Sequence, residues 1–501
     1  MTSNVNGQGY SPRNFQRENI IGKSRFTLAA LGGFILGIFL ADKIPLEFSW
    51  AIGIIIGLAI AMILLWQDKL VLLGALTLTA FFAGLSYYHF WDFRENQKTL
   101  IYSSEFKIDK AQIISKPQIA NDQRFEISYE KTKILIVAPK FPQYQYGDIL
   151  KILGNLEKPY PEDYYFKRGI RGEIKNPENI AKVGSGGNVI VKEIYKVGSA
   201  FENSLTKILP EPYAAFQDGL ILGTKINIPD SLMSEFNRTG TTHIVAVSGY
   251  NVTIIIMFIS YLLMRFSRKI SFFGSMFTII VFVILTGAVA SVLRAGILMA
   301  LVIFAKFIGR RPYYPILILL VADAMLLFNP YALKNDISFQ LSFLAFTGLI
   351  FFSPKIEQIK FIKDSPEGVK KAFSETMGAQ IAVLPILLFN FGILSFVAPL
   401  ANILILPVVP LSMFLGFLAG IGGLAWLELG RILGLVAWIP LKYIIAVENL
   451  LSKVPGAAVT LKIADWWWIP VYYLLIYVFF RGKFGLNQQS DDQNYREQEE
   501  F

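Results

Sequence analysis

Long apolar segments separated by short polar stretches recur along most of the chain. Three of them are FTLAALGGFILGIFLA from Phe26, VTIIIMFISYLLM from Val252 and WWWIPVYYLLIYVFF from Trp466. A helix needs about 20 apolar residues to cross the hydrocarbon of a bilayer, and these segments approach that length. The pattern predicts an α-helical polytopic membrane protein with about twelve transmembrane helices. We place them at residues 26–42, 48–66, 70–90, 243–264, 271–289, 291–309, 313–329, 338–354, 374–392, 396–424, 432–450 and 466–481.

The segment 396–424 differs from the others because it contains Pro407 and Pro410. Proline lacks a backbone donor and clashes with the preceding turn, so this helix is predicted to be kinked, broken or divided into two half-helices. Overall, 54% of the residues are hydrophobic and 17% are charged. A soluble domain averages about 25% charged residues, so composition also favours a membrane protein.

A polar region from Trp91 to Gly198 interrupts the apolar pattern. It alternates β-prone runs, namely AQIIS, RFEISYE, TKILIVA, DILKILG and NVIVKEIY, with turn-forming Asn, Pro and Gly. Five short strands of this kind predict a small inserted β-barrel, OB-like, over 91–198. In the following stretch, 199–241, one helical face carries Phe201, Leu205, Ile208 and Leu209, which predicts amphipathic interfacial helices.

Positive charge predicts the orientation. Basic residues in the tail 1–25 place the N-terminus in the cytoplasm, and the later basic clusters fall on the same side of a twelve-helix arrangement. The inserted β domain is then extracellular, and the tail 483–501 is cytoplasmic and disordered. No A-x-A-like cleavage site follows the first apolar segment, so we expect that segment to remain as an anchor in the cytoplasmic membrane.

Several kinds of chemistry are disfavoured. The chain has no cysteine and two histidines, which excludes disulfides and thiolate sites and predicts no bound metal and no cofactor. No Walker-type phosphate loop is present, so transport would not be driven through such a loop. His243 and Ser248 are five residues apart and point to different helical faces, which argues against a hydrolase. We therefore predict a protein that is not an enzyme.

Polar residues inside the predicted helices of the segment 242–482 are the candidate functional groups, because such residues are costly in lipid. The alternatives are interhelical hydrogen bonds and, for Arg294, an ion pair with Asp323. His243, Val247 and Asn251 are spaced to form one helical stripe, with Gly249 permitting close approach or a break. The predicted channel lining comprises His243, Ser248, Gly249, Asn251, Arg294, Asp323, Gln340, Gln380 and Asn402.

Four ordered segments resemble the ComEC family of competence DNA-uptake proteins. They are YQYGDILKILGNLEKPYPEDYYFKRGIRGEI, HIVAVSGYNVTII, SVLRAGILMALVIFAKFIGRR and FNPYALKNDISFQLSFLAFTGLI, and the resemblance covers about residues 26–480. It implies a channel that translocates single-stranded DNA across the cytoplasmic membrane while the complementary strand is degraded. The family's characteristic positions match Ser248, Gly249, Arg294 and Gln340.

Two departures from the family pattern stand out. Asn251 occupies a position where many members have histidine, and the 501 residues, with two histidines, are not expected to form the metallo-β-lactamase-like domain in which many members end. We therefore expect a separate nuclease, together with an outer DNA receptor, a cytosolic helicase-like translocase and possible homo-oligomerisation. The alternative function is a secondary transporter of a small anionic or lipid-linked solute, which would use similar broken helices and buried charges.

In the β domain, aromatic and basic residues interleave as in proteins that bind single strands by base stacking and phosphate contact. The alternative is that the aromatic residues pack the domain against the membrane surface, where tyrosine is enriched. The candidate DNA-binding residues are Tyr144, Tyr146, Lys158, Tyr164, Tyr165, Lys167, Arg168 and Arg171.

Overall fold

The structure is a computed structural model. It describes residues 22–45, 48–64, 67–98, 105–119, 121–130, 132–224, 227–245, 249–461 and 467–483, together with residues 100, 102, 103 and 465. Most of the predicted N-terminal tail, the predicted C-terminal tail beyond residue 483, and Ser248 lie outside the described residues. The chain forms two compact units that divide between Phe90 and Trp91.

The first unit consists of apolar helices. They are α1 (Lys23–Leu40), a 3-10 turn (Ala41–Lys43), α2 (Phe48–Leu64) and the larger part of α3 (Lys69–Asn96). Small residues let α1 and α3 approach closely, since a Cβ added to Gly33 would lie 2.6 Å from the backbone oxygen of Thr77. Backbone approach at small residues is a usual way for helices to pack in a membrane, where apolar burial gives little driving force.

The second unit begins with a β domain of eight strands and one short helix. The elements are β1 (Phe106–Ile113), β2 (Gln118–Ile119), β3 (Asp122–Tyr129), β4 (Thr132–Pro139), β5 (Asp148–Gly154), β6 (Leu156–Glu157), α4 (Glu162–Phe166), β7 (Ile170–Lys175) and β8 (Asn179–Ser185). Neighbouring strands follow the order β6-β7-β4-β3-β1-β5-β8, and β2 pairs with β3. The β4–β7 pair is parallel, whereas the other pairs are antiparallel.

The core of the β domain is formed by apolar side chains that alternate with more exposed ones along the strands. Ile134 and Ile136 on β4 and Leu150 and Ile152 on β5 are fully buried. Burying one such side chain stabilises a fold by about 1.5–3 kcal/mol. Only one residue, Asn155, separates β5 from β6, and β6 pairs with β7 near the other end of the strand order.

Seventeen further helices and one two-stranded antiparallel sheet, β9 with β10, complete the described part of the second unit. They are α5 (Val189–Ile208), α6 (Tyr213–Leu222), α7 (Asp230–Thr239), α8 (Thr242–Val245), α9 (Gly249–Leu263), α10 (Arg268–Leu285), α11 (Ala290–Phe307), α12 (Tyr314–Phe328), α13 (Ala332–Asn335), α14 (Ile337–Phe351), α15 (Ser353–Glu357), α16 (Lys360–Lys363), α17 (Glu367–Phe391), β9 (Ile393–Ser395), α18 (Ala398–Ile405), α19 (Val409–Ala425), α20 (Leu427–Ser452), β10 (Ala458–Thr460) and α21 (Trp468–Lys483).

These helices fit a membrane protein. Among the described residues, six helices are long and apolar enough to cross a bilayer, or seven if α18 and α19 are one span bent by 48°. The bend lies at the predicted Pro407 and Pro410 site, so a broken helix is confirmed there. The remaining predicted segments coincide with apolar helices of 10–17 residues. The total of twelve spans stays a prediction, as do the domain boundaries.

Two expectations about local structure were wrong. The run NVIVKEIY is the start of α5 and not a strand, because the Asn188 side chain accepts hydrogen bonds from the backbone of Ile190 and Val191 and caps the helix. The β domain has eight strands and not five, since β2 and β6 are two-residue strands and β7 and β8 lie in less regular sequence.

The connector helices are more deeply packed than the sequence predicts. Phe201, Leu205 and Leu209 share one helical face as predicted, but that face is buried in a core with α6, α18, α19 and α20. In α6, every residue from Ala214 to Leu222 is buried, so this helix has no broad face available to a membrane surface. The interfacial assignment therefore does not suit α6.

Candidate functional site

The segment around His243 is described in two parts, α8 up to Val245 and α9 from Gly249, and residues 246–248 between them lie outside the described residues. The mid-helix position expected for Gly249 therefore stays a prediction. His243 is exposed on α8. Asn251 is 1% exposed on α9, and its Nδ2 donates to the backbone oxygen of Leu220 at 3.1 Å. His243 and Asn251 therefore occupy different environments, and Asn251 takes part in helix packing.

Arg294 lies on α11 and is 4% exposed. Its Nη2 donates to the hydroxyl of Ser338 on α14 at 3.1 Å, while Nε and Nη1 are buried without a hydrogen-bond partner. No ion pair joins Arg294 to Asp323 or to another acid among the residues that the structure describes. The arrangement leaves a buried cation whose direct partner is a neutral hydroxyl.

The α13–α14 corner brings several polar groups close to Arg294. Asp336 is the acid that acts on Arg294 electrostatically, and its Oδ1 accepts a hydrogen bond from the backbone of Phe339 at 3.2 Å, capping α14. Gln340 donates to the backbone oxygens of Leu333 and Lys334, at 3.0 and 2.8 Å. Gln340 therefore closes the corner. Asp336 and Ser338 were not among the predicted residues, although an Asp directly before an apolar run is an N-cap signal.

The other predicted lining residues have separate surroundings. Asp323 on α12 is 8% exposed, and Asn402 on α18 is 7% exposed; each has one side-chain oxygen, Oδ1, without a hydrogen-bond partner. Gln380 on α17 donates to the backbone oxygen of Ser395 at 3.2 Å. The described contacts do not join these three residues to Arg294, so a continuous polar path through all of them stays a prediction.

Glu448 on α20 is a further buried polar group that the predicted set omits. It is fully buried and accepts hydrogen bonds from the hydroxyls of Thr239 and Thr241, the second at 2.6 Å. The sequence signal was a lone acid in an apolar helix. The two threonines could not be identified as its partners because they are more than 200 residues away.

Some predicted residues of the β domain serve its internal packing. Tyr144 is 5% exposed and donates through its hydroxyl to the backbone oxygen of Ile180 at 3.2 Å. Burial and the nearby Asp148 carboxylate raise the pKa of Tyr144 above its ordinary value. Tyr146 packs edge to face on Tyr195, with ring centroids 5.4 Å apart.

Arg171 is 1% exposed and so does not lie on the surface of the β domain. Its Nη2 donates to the backbone oxygen and to the carboxylate of Glu95, at 2.9 and 3.2 Å. Its guanidinium also lies 3.3 Å from the centre of the Phe166 ring. Because Arg171 is buried and paired with an acid, its role is structural, and it is not among the residues proposed to contact DNA.

The remaining basic and aromatic candidates lie on or beside α4. Lys158 pairs with Glu162 at 3.0 Å, and the rings of Tyr164 and Tyr165 meet edge to face at 5.1 Å. The guanidinium of Arg168 lies 4.1 Å from the centre of the Tyr164 ring. In the part of the chain described here, no group of three or more His, Cys, Asp or Glu side chains is arranged to hold a metal ion.

Comparison with known proteins gives two matches. The Competence protein family matches residues 220–483, which is more than half of the chain. ComE operon protein 3 of Bacillus subtilis (strain 168) is 27% identical over 318 residues, and this match covers 60% of the present chain and 38% of that relative. The chain thus spans well under two thirds of the relative's length. No solved structure matches.

Proposed function

Because this chain belongs to the ComEC family of competence proteins, we propose that its helical part translocates single-stranded DNA across the cytoplasmic membrane during natural transformation. The observation that carries this proposal is the environment of Arg294, a buried cation bonded to a neutral hydroxyl inside the segment that matches the family. DNA uptake through this segment gives that cation a partner, because the phosphates of a passing strand are anionic.

The physical requirement is a hydrated route with weakly held positive charge. A single strand carries one negative charge per nucleotide, and moving such charges through hydrocarbon is prohibitively costly. A conduit must attract phosphate without tight, multi-contact binding that would stall passage. One arginine with spare donors meets this requirement better than an arginine held by a carboxylate.

The proposed architecture has twelve spans, cytoplasmic termini and an extracellular β domain. Support comes from the apolar helices at all twelve predicted positions and from basic residues in the α9–α10 and α11–α12 loops. We propose an OB-like arrangement for the β domain. The parallel β4–β7 pair, and the way β6 continues β5 and pairs with β7, support this closure.

The proposed lining centres on Arg294 and the α13–α14 corner that includes Gln340. His243, Ser248, Gly249, Asn251, Asp323, Gln380 and Asn402 stay in the proposed set as residues of the helical part without described contacts to that corner. An outer DNA receptor, a separate nuclease and a cytosolic helicase-like translocase are the proposed partners. Such a translocase would supply the energy for strand movement.

The test compares Arg294→Ala with the parent chain in cells that depend on this protein for transformation. We expect internalised labelled DNA to fall by at least tenfold, with unchanged surface-bound DNA and protein level, because the strand loses its buried cationic contact. Arg294→Lys should retain part of the uptake. Arg310→Ala, which removes an exposed arginine from the α11–α12 loop, is the matched control. Normal internalisation by Arg294→Ala would contradict the proposal.

Secondary transport of a small anionic or lipid-linked solute is the second candidate. The 48° bend between α18 and α19 favours it, since broken helices often form solute sites in transporters. Deletion of the gene separates the candidates. Loss of DNA internalisation with normal growth on all tested solutes supports DNA transport, whereas a solute-specific growth defect with normal transformation supports the transporter.

A further inference from the structure

A cleft lies where the end of α4 meets the turn between α12 and α14. Tyr164, Lys167 and Arg168 line it from the β domain, and Asn329, Asn335 and Asp336 line it from the helical part. The cleft is open to solvent, and its enclosed part has room for only one or two water molecules. A phosphate group would therefore bind at the open mouth of the cleft, while the rest of a strand would lie outside.

Hydrogen bonds that involve no carboxylate hold the two sides of the cleft together. Asn329 Nδ2 donates to the backbone oxygen of Lys167 at 2.9 Å, and Lys167 Nζ donates to Asn335 Oδ1 at 2.8 Å. Asn335 Nδ2 in turn donates to the backbone oxygen of Tyr331 at 3.0 Å. The Lys167 ammonium is therefore positioned by an amide oxygen, which leaves its positive charge unneutralised by this contact.

The cations at the cleft differ from several others on the β domain, which are held in ion pairs. Among the described residues, neither Lys167 nor Arg168 forms an ion pair, whereas Lys133 pairs with Glu126 at 3.1 Å and Lys151 with Asp109 at 3.5 Å. Tyr164 is 42% exposed beneath the Arg168 guanidinium. Two available cations beside an exposed aromatic ring are the combination that binds single strands without sequence preference.

The cleft adjoins the start of α14, which also carries the Arg294 contact. Asp336 ends the turn and caps α14, and Ser338, two residues further along the chain, accepts the hydrogen bond from Arg294. The Asp336 carboxylate opposes tight phosphate binding at the cleft, and short occupancy suits a site through which a polymer must move. A strand leaving the cleft would thus reach the helix that carries the Arg294 contact.

We propose that this cleft is a relay site in which Lys167 and Arg168 bind a phosphodiester of the incoming single strand before it passes Arg294. The site is composite, because Asn329 and Asn335 of the helical part position Lys167 of the β domain. This inference rests on the proposed function and specifies the place where the strand enters the helical part.

The test measures binding of a fluorescent oligothymidine to the purified full chain in zwitterionic nanodiscs at several salt concentrations. Each phosphate contact on a single strand contributes about 0.7 to the slope of log K against log salt. The double variant Lys167→Gln/Arg168→Gln should lower the slope by about 1.4 and weaken binding at low salt. Lys133→Gln/Lys151→Gln removes the same charge from ion-paired, exposed positions and should keep the parent slope. An unchanged slope in the cleft variant would overturn the relay site.

Further variants and lipid compositions distinguish a folding defect, a lipid headgroup in the cleft and a failure of the proposed function. The variant Lys167→Arg/Arg168→Lys keeps the charge and should restore the slope, which a purely structural defect would not permit. If the slope difference occurred only in discs of anionic lipid, a lipid headgroup would occupy the cleft and the proposal would fail. If the parent bound no oligonucleotide and its cells internalised no DNA, the proposed function itself would fail. Parent-like binding and uptake by the cleft variant would remove only the relay site.

Discussion

Arg171 at the β domain and Arg294 in the helical part are both buried, and they differ in what surrounds their guanidinium groups. Each has Nε and Nη1 without a hydrogen-bond partner, so missing partners do not distinguish them. Arg171 has the Glu95 carboxylate at 3.2 Å and the face of Phe166, whereas the described partner of Arg294 is the Ser338 hydroxyl. Arg171 is therefore neutralised by a residue of the fold, whereas the charge of Arg294 is available to another anion.

The difference matters because a buried charge is costly unless it is paired. The protein offsets the cost at Arg171 with an internal acid, and that charge contributes little to the binding of another anion. At Arg294 the cost is offset weakly within the described structure. A site with that property is best suited to a transient anionic partner, provided that the bundle is stable without it.

The largest expected effect is that of Glu95→Gln. It removes the carboxylate and leaves Arg171 as an uncompensated buried charge, so we expect a loss of about 3–5 kcal/mol in stability. The measurement is the thermal unfolding midpoint of the purified full chain. Adding Arg171→Met to Glu95→Gln should recover most of the loss.

Glu162→Gln is the matched control for that prediction. It breaks the exposed Lys158–Glu162 pair, which should contribute about 0–1 kcal/mol. Equal midpoints for Glu95→Gln and the parent would mean that the Arg171–Glu95 pair does not stabilise the β domain. Arg171 would then not be a structural arginine that contrasts with Arg294.

A smaller effect is expected at Asp336, where the cap and the charge can be separated. Asp336→Ala removes the N-cap of α14 and should cost about 1 kcal/mol, while Asp336→Asn keeps a capping oxygen and should cost less than half of that. Thermal unfolding of both variants gives the measurement. If Asp336→Asn were as unstable as Asp336→Ala, the negative charge would be neutralising Arg294, and the two arginines would be more alike than proposed.

Local patterns predicted the helices of this protein well. The apolar segments, the break at Pro407 and Pro410, and the buried face of α5 all depend on residues near one another in sequence. NVIVKEIY was wrong as a strand because the N-cap at Asn188 and the apolar face of α5 outweigh the small helix penalty of the β-branched residues. An Asn directly before such a run is an N-cap signal in the sequence itself.

The candidate sites were harder to predict, since their character depends on distant partners. Arg171 had the same local context as the exposed basic residues near it, and only Glu95, 76 residues earlier, makes it a buried ion pair. Arg294 was identified from its apolar surroundings, but its separation from Asp323 and its bond to Ser338 required the fold. The partner that a distant element supplies, and neither residue type nor burial, distinguishes the two arginines.

The smallest expected effect concerns the stability of Arg294→Met. Removing a buried charge that lacks a described acid partner exchanges a desolvation cost for apolar packing of an unbranched side chain, and such exchanges are often neutral or stabilising. We therefore expect a thermal midpoint equal to or slightly above that of the parent, in a variant that no longer internalises DNA. Arg171→Met should show the reverse, a lower midpoint. If the midpoint fell as far for Arg294→Met as for Arg171→Met, both arginines would have a structural role. A cation that serves to contact a passing strand should not be needed to stabilise the helices when no strand is present.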